Sequence, residues 1–364
     1  MAGCEPNGAM KLIDKLLNNS GKPEDAPASR RALLPMPPHT HTQGGEERRI
    51  GIEIEFSGLK LDEISEVLIE TLDAQAKPVS DYETEIETPD LGTWRVELDN
   101  AYLKQLGREH AEVAEVNPEA DDGASLPESL LALVAEKIVP FEVVTAPLPI
   151  SRLSDVCAVI RRLGNAGAKG TRHAKAYAFG IHMNPEMPAL DAVTVRRHLQ
   201  AFLCLQDWLK LRCDVDFSRR VTPYIDSFPT KYIRQVIAPD YAPDMDQLID
   251  DYLAHNPTRN RALDMLPMFA QINEGRVRAQ VDDERVQARP THHYRLPNCL
   301  IDEPNWNLGL AWRDWLQVEY LADEPQRLDA ICAAYDEFLA SPTDRLLKDW
   351  TRRCSDEFLI HELY

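Results

Sequence analysis

The sequence predicts an α+β fold, in which a mostly antiparallel sheet has one carboxylate-lined face and helices pack on its apolar face. Short segments in which apolar and polar residues alternate indicate strands with two different faces. Segments with apolar residues at helical spacing interrupt these strands irregularly. This irregular order favours an antiparallel arrangement over a doubly wound parallel sheet.

The chain divides into a predicted tail and one predicted domain. Residues 1–47 are predicted to form a disordered tail, because proline, glycine, serine and charged residues of both signs are frequent in them. Residues 48–364 are predicted to form a single domain, with a mostly helical segment at 186–290 and further helices at the carboxyl end.

Within that domain the patterns predict five strands and six helices. The strands are expected at 49–57, 92–100, 141–146, 177–184 and 316–321. The helices are expected at 61–76, 130–137, 151–163, 191–213, 326–339 and 343–358. An acidic connection is expected at 111–128.

Composition excludes several classes of function. Sixty acidic and forty basic residues leave a net charge of −20, which disfavours binding to nucleic acids and to anionic membranes. The longest apolar runs, such as 202–205, are too short to span a bilayer, and the start lacks a signal-peptide pattern. The seven scattered cysteines contain no CxxC pair, so a reducing cytoplasm is the expected location.

The polar faces of the predicted strands are rich in possible metal ligands. Residues two apart share a face of a strand, so Glu53 and Glu55 are expected to lie side by side. For any single strand a solvated face is the ordinary interpretation. For the whole set, neighbouring like charges would repel unless cations neutralise them, which favours a floor for two Mg²⁺ or Mn²⁺ ions. The residues expected on this floor are Glu53, Glu55, Glu97, Glu142, His182 and Glu319.

Five segments, in order, resemble motifs of the carboxylate–amine ligases with a glutamine synthetase/glutamate–cysteine ligase-like fold. They are most similar to the amidoligase branch of that superfamily. The segments are GIEIEF at 51–56, WRVELDN at 94–100, FEVVTAPL at 141–148, GIHMN at 180–184 and VEY at 318–320.

The resemblance implies a glutamine synthetase-like catalytic domain and an ATP-dependent ligase that forms an amide or peptide bond through an acyl phosphate. It implies that the six floor residues bind Mg²⁺ or Mn²⁺. It also implies catalytic roles for Arg295 and Glu319, and contacts to the nucleotide from Glu142, Lys175 and Asn184. The expected substrates are a small-molecule or peptide carboxylate and an amine, with ammonia from a separate glutamine amidotransferase as another source.

Several alternatives stay open. The second-strand ligand is Glu97 or Asp99, with Glu97 favoured, and Arg172 is a further candidate beside the acyl phosphate. Leu321 stands where the family carries an arginine, so a catalytically degenerate binding protein is one alternative. A metal-dependent hydrolase on the same floor is another. A paired-carboxylate glycosidase would explain neither the histidine nor the number of acids. Because residues 292 and 293 would point to opposite faces of a strand, joint ligation by this His-His pair is not expected.

Overall fold

A computed structural model describes residues 34–98, 140–172, 179–213 and 225–364. These residues combine helices with a nine-stranded sheet, and every pairing between its named strands is antiparallel. The predicted α+β class is therefore correct. The predicted helix at 130–137, the acidic connection and the carboxyl end of the second predicted strand lie outside the described residues.

The strands follow one path across the sheet, in the order β2-β3-β4-β5-β1-β7-β9-β8, with β6 paired to β1. They are β1 (Arg49–Phe56), β2 (Gln75–Ser80), β3 (Glu83–Glu87), β4 (Thr93–Leu98), β5 (Phe141–Val144), β6 (Leu148–Pro149), β7 (Ile181–Pro185), β8 (Leu263–Asp264) and β9 (His293–Tyr294).

Ten α-helices lie in the described residues. They are α1 (Leu61–Leu72), α2 (Leu153–Ala166), α3 (Ala192–Arg212), α4 (Thr230–Val236), α5 (Met245–His255), α6 (Leu266–Arg278), α7 (Leu308–Asp323), α8 (Pro325–Ala340), α9 (Pro342–Leu347) and α10 (Trp350–Glu357). None of these helices is both long and apolar enough to cross a bilayer.

Strand β1 lies in the middle of the sheet, between β5 and β7, and its side chains alternate between the two faces of the sheet. Its apolar side chains, Ile50, Ile52, Ile54 and Phe56, are fully buried, as alternation predicts. Helices cover this apolar face further along the sheet. There Tyr294 of β9 packs against Phe202 of α3 and Trp315 of α7. The other face carries the glutamates.

Helix α3 confirms the helix predicted after residue 191. The Asp191 carboxylate accepts hydrogen bonds from the backbone N–H groups of Val193 and Thr194, as an N-cap does. Helix α8 likewise lies where the sequence predicts it.

The strand predicted at 316–321 is wrong, because these residues belong to helix α7. This helix is surrounded by protein and buries apolar and polar side chains alike, including Gln317 and Glu319. A short buried stretch of this kind shows no helical stripe, and its pattern cannot be distinguished from a strand by periodicity.

Three smaller differences also have local causes. Helix α1 ends at Leu72, with Asp73 in the left-handed region at φ 52°, and the unpredicted hairpin of β2 and β3 follows. The single helix predicted at 343–358 is two helices, and Asp349 caps the second.

Part of the predicted tail packs on the domain. The backbone carbonyls of Pro35 and Met36 accept hydrogen bonds from Trp312 and Tyr320 of α7. The folded unit therefore begins by residue 34, earlier than the composition indicates.

Candidate active site

The strand register brings five of the six predicted floor residues onto one face of four adjacent strands. Glu53 of β1 lies opposite His182 of β7, and Glu55 lies opposite Glu142 of β5. Glu142 in turn lies opposite Glu97 of β4. The pairing follows from the antiparallel order of the strands, which the sequence does not specify.

A further glutamate extends this row. Glu83 of β3, which the sequence analysis does not single out, lies opposite Glu97. Four carboxylates therefore occupy successive cross-strand positions, in the order Glu83, Glu97, Glu142 and Glu55. Burial raises the pKa of Glu97, the negative charges of Glu83 and Glu53 add to this, and Arg95 opposes it. Like charges placed directly across strands are destabilising unless something positive lies among them.

Glu53 is held by polar side chains on both carboxylate oxygens. His182 Nδ1 lies 2.9 Å from Oε2, and Asn184 Nδ2 donates to Oε1 at 3.0 Å. His293 Nδ1 lies 3.9 Å from Oε1, and Arg289 lies 4.0 Å from the same oxygen. Burial alone would raise the pKa of Glu53, but the hydrogen bond from His182 and the positive charge of Arg289 oppose it, and this pKa lies well below its ordinary value.

The proton on His182 can be assigned from its partners. An ionised carboxylate only accepts hydrogen bonds, so the Nδ1 atom facing Glu53 carries the proton. The other nitrogen, Nε2, lies 3.5 Å from Oε1 of Glu55. In a neutral imidazole Nε2 is also an acceptor, so two acceptors face each other there. A cation between them, or a second proton on the ring, resolves this conflict.

Among the described residues, two groups of side chains are close enough to hold a metal ion. Glu53, His182 and His293 form one, and Glu55, Glu142 and His182 form the other. Within each group the ligand atoms lie within 4.8 Å of one another. Two carboxylates with one imidazole suit Mn²⁺ and Mg²⁺, whereas two imidazoles favour a transition-metal ion such as Mn²⁺ over Mg²⁺.

Asn184 orients two members of the first group, Glu53 and His293. Its Oδ1 accepts hydrogen bonds from His293 Nδ1 at 2.7 Å and from Arg289 at 2.9 Å, while its Nδ2 donates to Glu53. His293 Nε2 is thus left as a possible ligand atom. Burial, with help from Arg295, lowers the pKa of His293 well below its ordinary value. Neutral imidazole and ionised carboxylate are the forms in which these side chains bind metals.

His293 is the site residue that the sequence analysis underrates. His292 and His293 point to opposite faces of the sheet, as the sequence analysis expects. His292 lies on the apolar side against His198 and Trp315, while the ring centroid of His293 lies 5.0 Å from that of His182. The sequence did contain a signal for His293, because neighbouring residues of a strand point to opposite faces. If Tyr294 is buried on the apolar face, His293 must lie on the polar face.

Glu319 is the predicted floor residue that the structure places elsewhere. It lies on α7, is 1% exposed, and accepts hydrogen bonds from Arg48 at 2.8 and 3.0 Å and from Trp315 at 3.0 Å. Burial alone would raise the pKa of Glu319, but Arg48 and His198 hold it far below its ordinary value. Its oxygens accept hydrogen bonds from protein donors, so in this structure Glu319 is the counter-ion of the buried Arg48 and does not lie on the strand floor where the sequence analysis expected it.

The remaining predicted residues are placed as follows. Arg295 is nearly buried, 3.6 Å from Asp264, and follows β9 at the edge of the floor. Arg172 forms an exposed ion pair with Glu303 at 3.2 Å. Lys175 and Asp99 lie outside the described residues.

A family model described as putative amidoligase enzyme matches residues 46–317, which include the five floor residues that the register brings together. Neither the curated proteins nor the solved structures contain a match to this chain. With three quarters of its length matched, the chain belongs to the putative amidoligase family, whose activity is of the ligase type.

Proposed function

We propose that the protein is an ATP-dependent carboxylate–amine ligase that works through an acyl phosphate, on a glutamine synthetase-like fold. The observation that carries the proposal is the position of His182, whose Nδ1–H donates a hydrogen bond to Glu53 and whose Nε2 faces Glu55. A histidine that ligates a metal characteristically has this arrangement, with its second nitrogen hydrogen-bonded to a carboxylate.

Phosphoryl transfer requires mainly positioning and neutralisation of charge. Glu53 and His293 would contribute ligands to one Mn²⁺ or Mg²⁺ ion, and His182 would not share it, because its free nitrogen, Nε2, faces Glu55. Glu55, Glu142 and His182, with Glu97 as their neighbour in the row, would hold a second. Such ions neutralise phosphate oxygens and stabilise the charge that develops on them.

The other side chains have roles that need no metal. Asn184 fixes the carboxylate of Glu53 and the ring of His293, so that both ligands are preorganised. Arg295 provides a positive charge at the edge of the floor, where the acyl phosphate would need one. The amine then displaces phosphate from the acyl carbon and forms the amide bond.

We expect a small-molecule or peptide carboxylate and an amine as substrates, with ammonia from a glutamine amidotransferase as one possible source. Nucleic acids and membranes remain unexpected partners, because the net charge is −20.

The test uses hydroxylamine in place of the amine, because it traps acyl phosphates as hydroxamates. The purified chain is incubated with ATP, Mn²⁺ and a panel of carboxylates. We expect ADP, phosphate and hydroxamate to appear together with at least one carboxylate. Glu53→Gln should abolish all three products, and Glu70→Gln, an exposed glutamate on α1, should not. Absence of ATP and Mn²⁺ binding would refute the proposal.

A metal-dependent hydrolase is the second candidate. Glu53, His182 and His293 combine a carboxylate with two imidazoles, a set that can hold an ion and activate bound water. Product release from amide or ester substrates with Mn²⁺ and without ATP would favour this candidate. Binding of ATP and Mn²⁺ without turnover of any substrate would instead indicate a catalytically degenerate member.

A further inference from the structure

Three arginines gather at the edge of the floor beyond His293. Arg259 lies between α5 and β8, Arg289 precedes β9, and Arg295 follows β9. Arg259 Nε and Arg295 lie 3.9 and 3.6 Å from the same oxygen of Asp264, which is completely buried. Within the described part of the chain, one aspartate therefore faces two guanidinium groups.

Arg289 connects this cluster to the metal ligands. It donates to Asn184 Oδ1 at 2.9 Å and lies 4.0 Å from Glu53. Its side chain is 36% exposed, so part of this side chain reaches solvent beside the floor. A ligand bound to Arg289 would therefore also adjoin the Glu53 group.

Arg259 and Arg289 each have a buried N–H group for which the described residues provide no hydrogen-bond acceptor. The Nε atoms of Arg259 and Arg289 are buried and have no hydrogen-bond partner among the described residues. Buried N–H groups are normally hydrogen-bonded, and a buried guanidinium normally has an anionic partner. Asp264 is close to Arg259, but at 3.9 Å it is beyond hydrogen-bond distance.

We propose that Arg259, Arg289 and Arg295 bind an oxyanion of the substrate next to the Glu53 metal group. Guanidinium groups suit this task because their planar donors match carboxylate and phosphate oxygens in pairs. The oxyanion is either a carboxylate of the acceptor substrate or a phosphoryl group. Binding of the oxyanion to these arginines needs no turnover. Only the role of that oxyanion in a ligase reaction rests on the proposed function.

The test measures anion binding to the full chain by isothermal titration calorimetry. The probes are inorganic phosphate and succinate, each with Mn²⁺ present and without nucleotide. We expect at least one probe to bind, and Arg259→Gln and Arg289→Gln each to weaken its binding at least tenfold. The probe that binds identifies the source of the oxyanion, as phosphoryl group or carboxylate.

The control is Arg285→Gln. Arg285 lies in the same stretch of chain, is 58% exposed, and already pairs with Asp283 at 2.6 Å. Its loss should leave the affinity unchanged. Circular dichroism checks that each variant is folded, and Arg289→Lys, which keeps the charge, should retain more affinity than Arg289→Gln.

The outcomes separate this proposal from the ligase proposal. No binding of either probe to the unmodified chain, or equal affinity in folded Arg259→Gln, Arg289→Gln and Arg285→Gln variants, would overturn it. Selective weakening in the first two would support it even if no ligase activity were found. Hydroxamate formation that persists with an unchanged KM for the carboxylate and for ATP in both variants would overturn it while leaving the ligase proposal intact.

Discussion

Glu53 and His182 lie directly opposite each other on neighbouring strands, and Oε2 of the glutamate is 2.9 Å from Nδ1 of the histidine. This hydrogen bond fixes which nitrogen of His182 carries a proton and turns the other towards Glu55.

We expect Asn184→Ala to weaken Mn²⁺ binding by about 10–100-fold, because Asn184 orients both Glu53 and His293 without being a ligand in either group. Titration calorimetry with Mn²⁺ measures the change. Gln75→Ala on the exposed strand β2 is the control and should bind Mn²⁺ normally. Equal affinity in the two variants would mean that Asn184 supports no metal site.

We expect Glu97→Gln to have opposite effects without and with metal. Without metal it should raise the free energy of unfolding by about 0.2–1 kcal/mol, because Glu97 lies between Glu83 and Glu142 in the row of carboxylates. With saturating Mn²⁺ the stabilisation gained from the metal should be smaller than in the unmodified chain. Urea unfolding with EDTA and with Mn²⁺ measures both. If the row of carboxylates were only a solvated face, Glu97→Gln would still raise the free energy of unfolding without metal. The stabilisation gained from Mn²⁺ would then be the same in the variant and in the unmodified chain.

We expect Glu319→Gln to lower the free energy of unfolding at pH 7 by about 3–5 kcal/mol, because it leaves the buried Arg48 without its counter-ion. The pKa of Glu319 lies below its ordinary value of 4.5 in the folded state, so the ionised form stabilises the fold fully above about pH 4.5. This contribution is lost as the pH falls further. The difference in the free energy of unfolding between the variant and the unmodified chain should therefore become smaller below pH 4.5.

Chemical denaturation at pH 7, 4.5 and 3.5 tests this dependence. Glu357→Gln, which breaks an exposed pair with Arg353, should change stability by less than about 1 kcal/mol at every pH. A difference that widens on acidification would contradict the assigned direction of the pKa shift.

We expect Gly170→Ala to destabilise the fold by about 1–3 kcal/mol, because an added Cβ would lie 2.3 Å from the carbonyl oxygen of Cys299. The glycine-rich stretch at 164–170 superficially resembles a phosphate loop, but its glycines allow close backbone approach and end helix α2 at Gly167. Thermal unfolding measures the effect. Gly275→Ala, where the nearest atom is 3.9 Å away, is the control and should not destabilise the fold. Loss of ATP binding at unchanged stability in Gly170→Ala would favour a phosphate loop instead.

The sequence by itself determined the class of the fold, the family and the two faces of its central strands. Alternation is a local property, so the apolar and polar sides of β1, β4 and β5 could be read before any partner strand was known. The capping aspartate before α3 is equally local. For these reasons Glu53, Glu55, Glu97, Glu142 and His182 were all candidates from the sequence alone.

Only the tertiary structure decided which of these residues meet, and with what. Glu319 shows a strand-like pattern but belongs to a helix surrounded by protein, because burial on all sides removes the periodicity that would identify it. His293, Arg259 and Arg289 are distant from Glu53 in the chain and come near it through the order β1-β7-β9-β8. Strand order and register depend on contacts between remote segments, and a pattern within one segment carries no information about them.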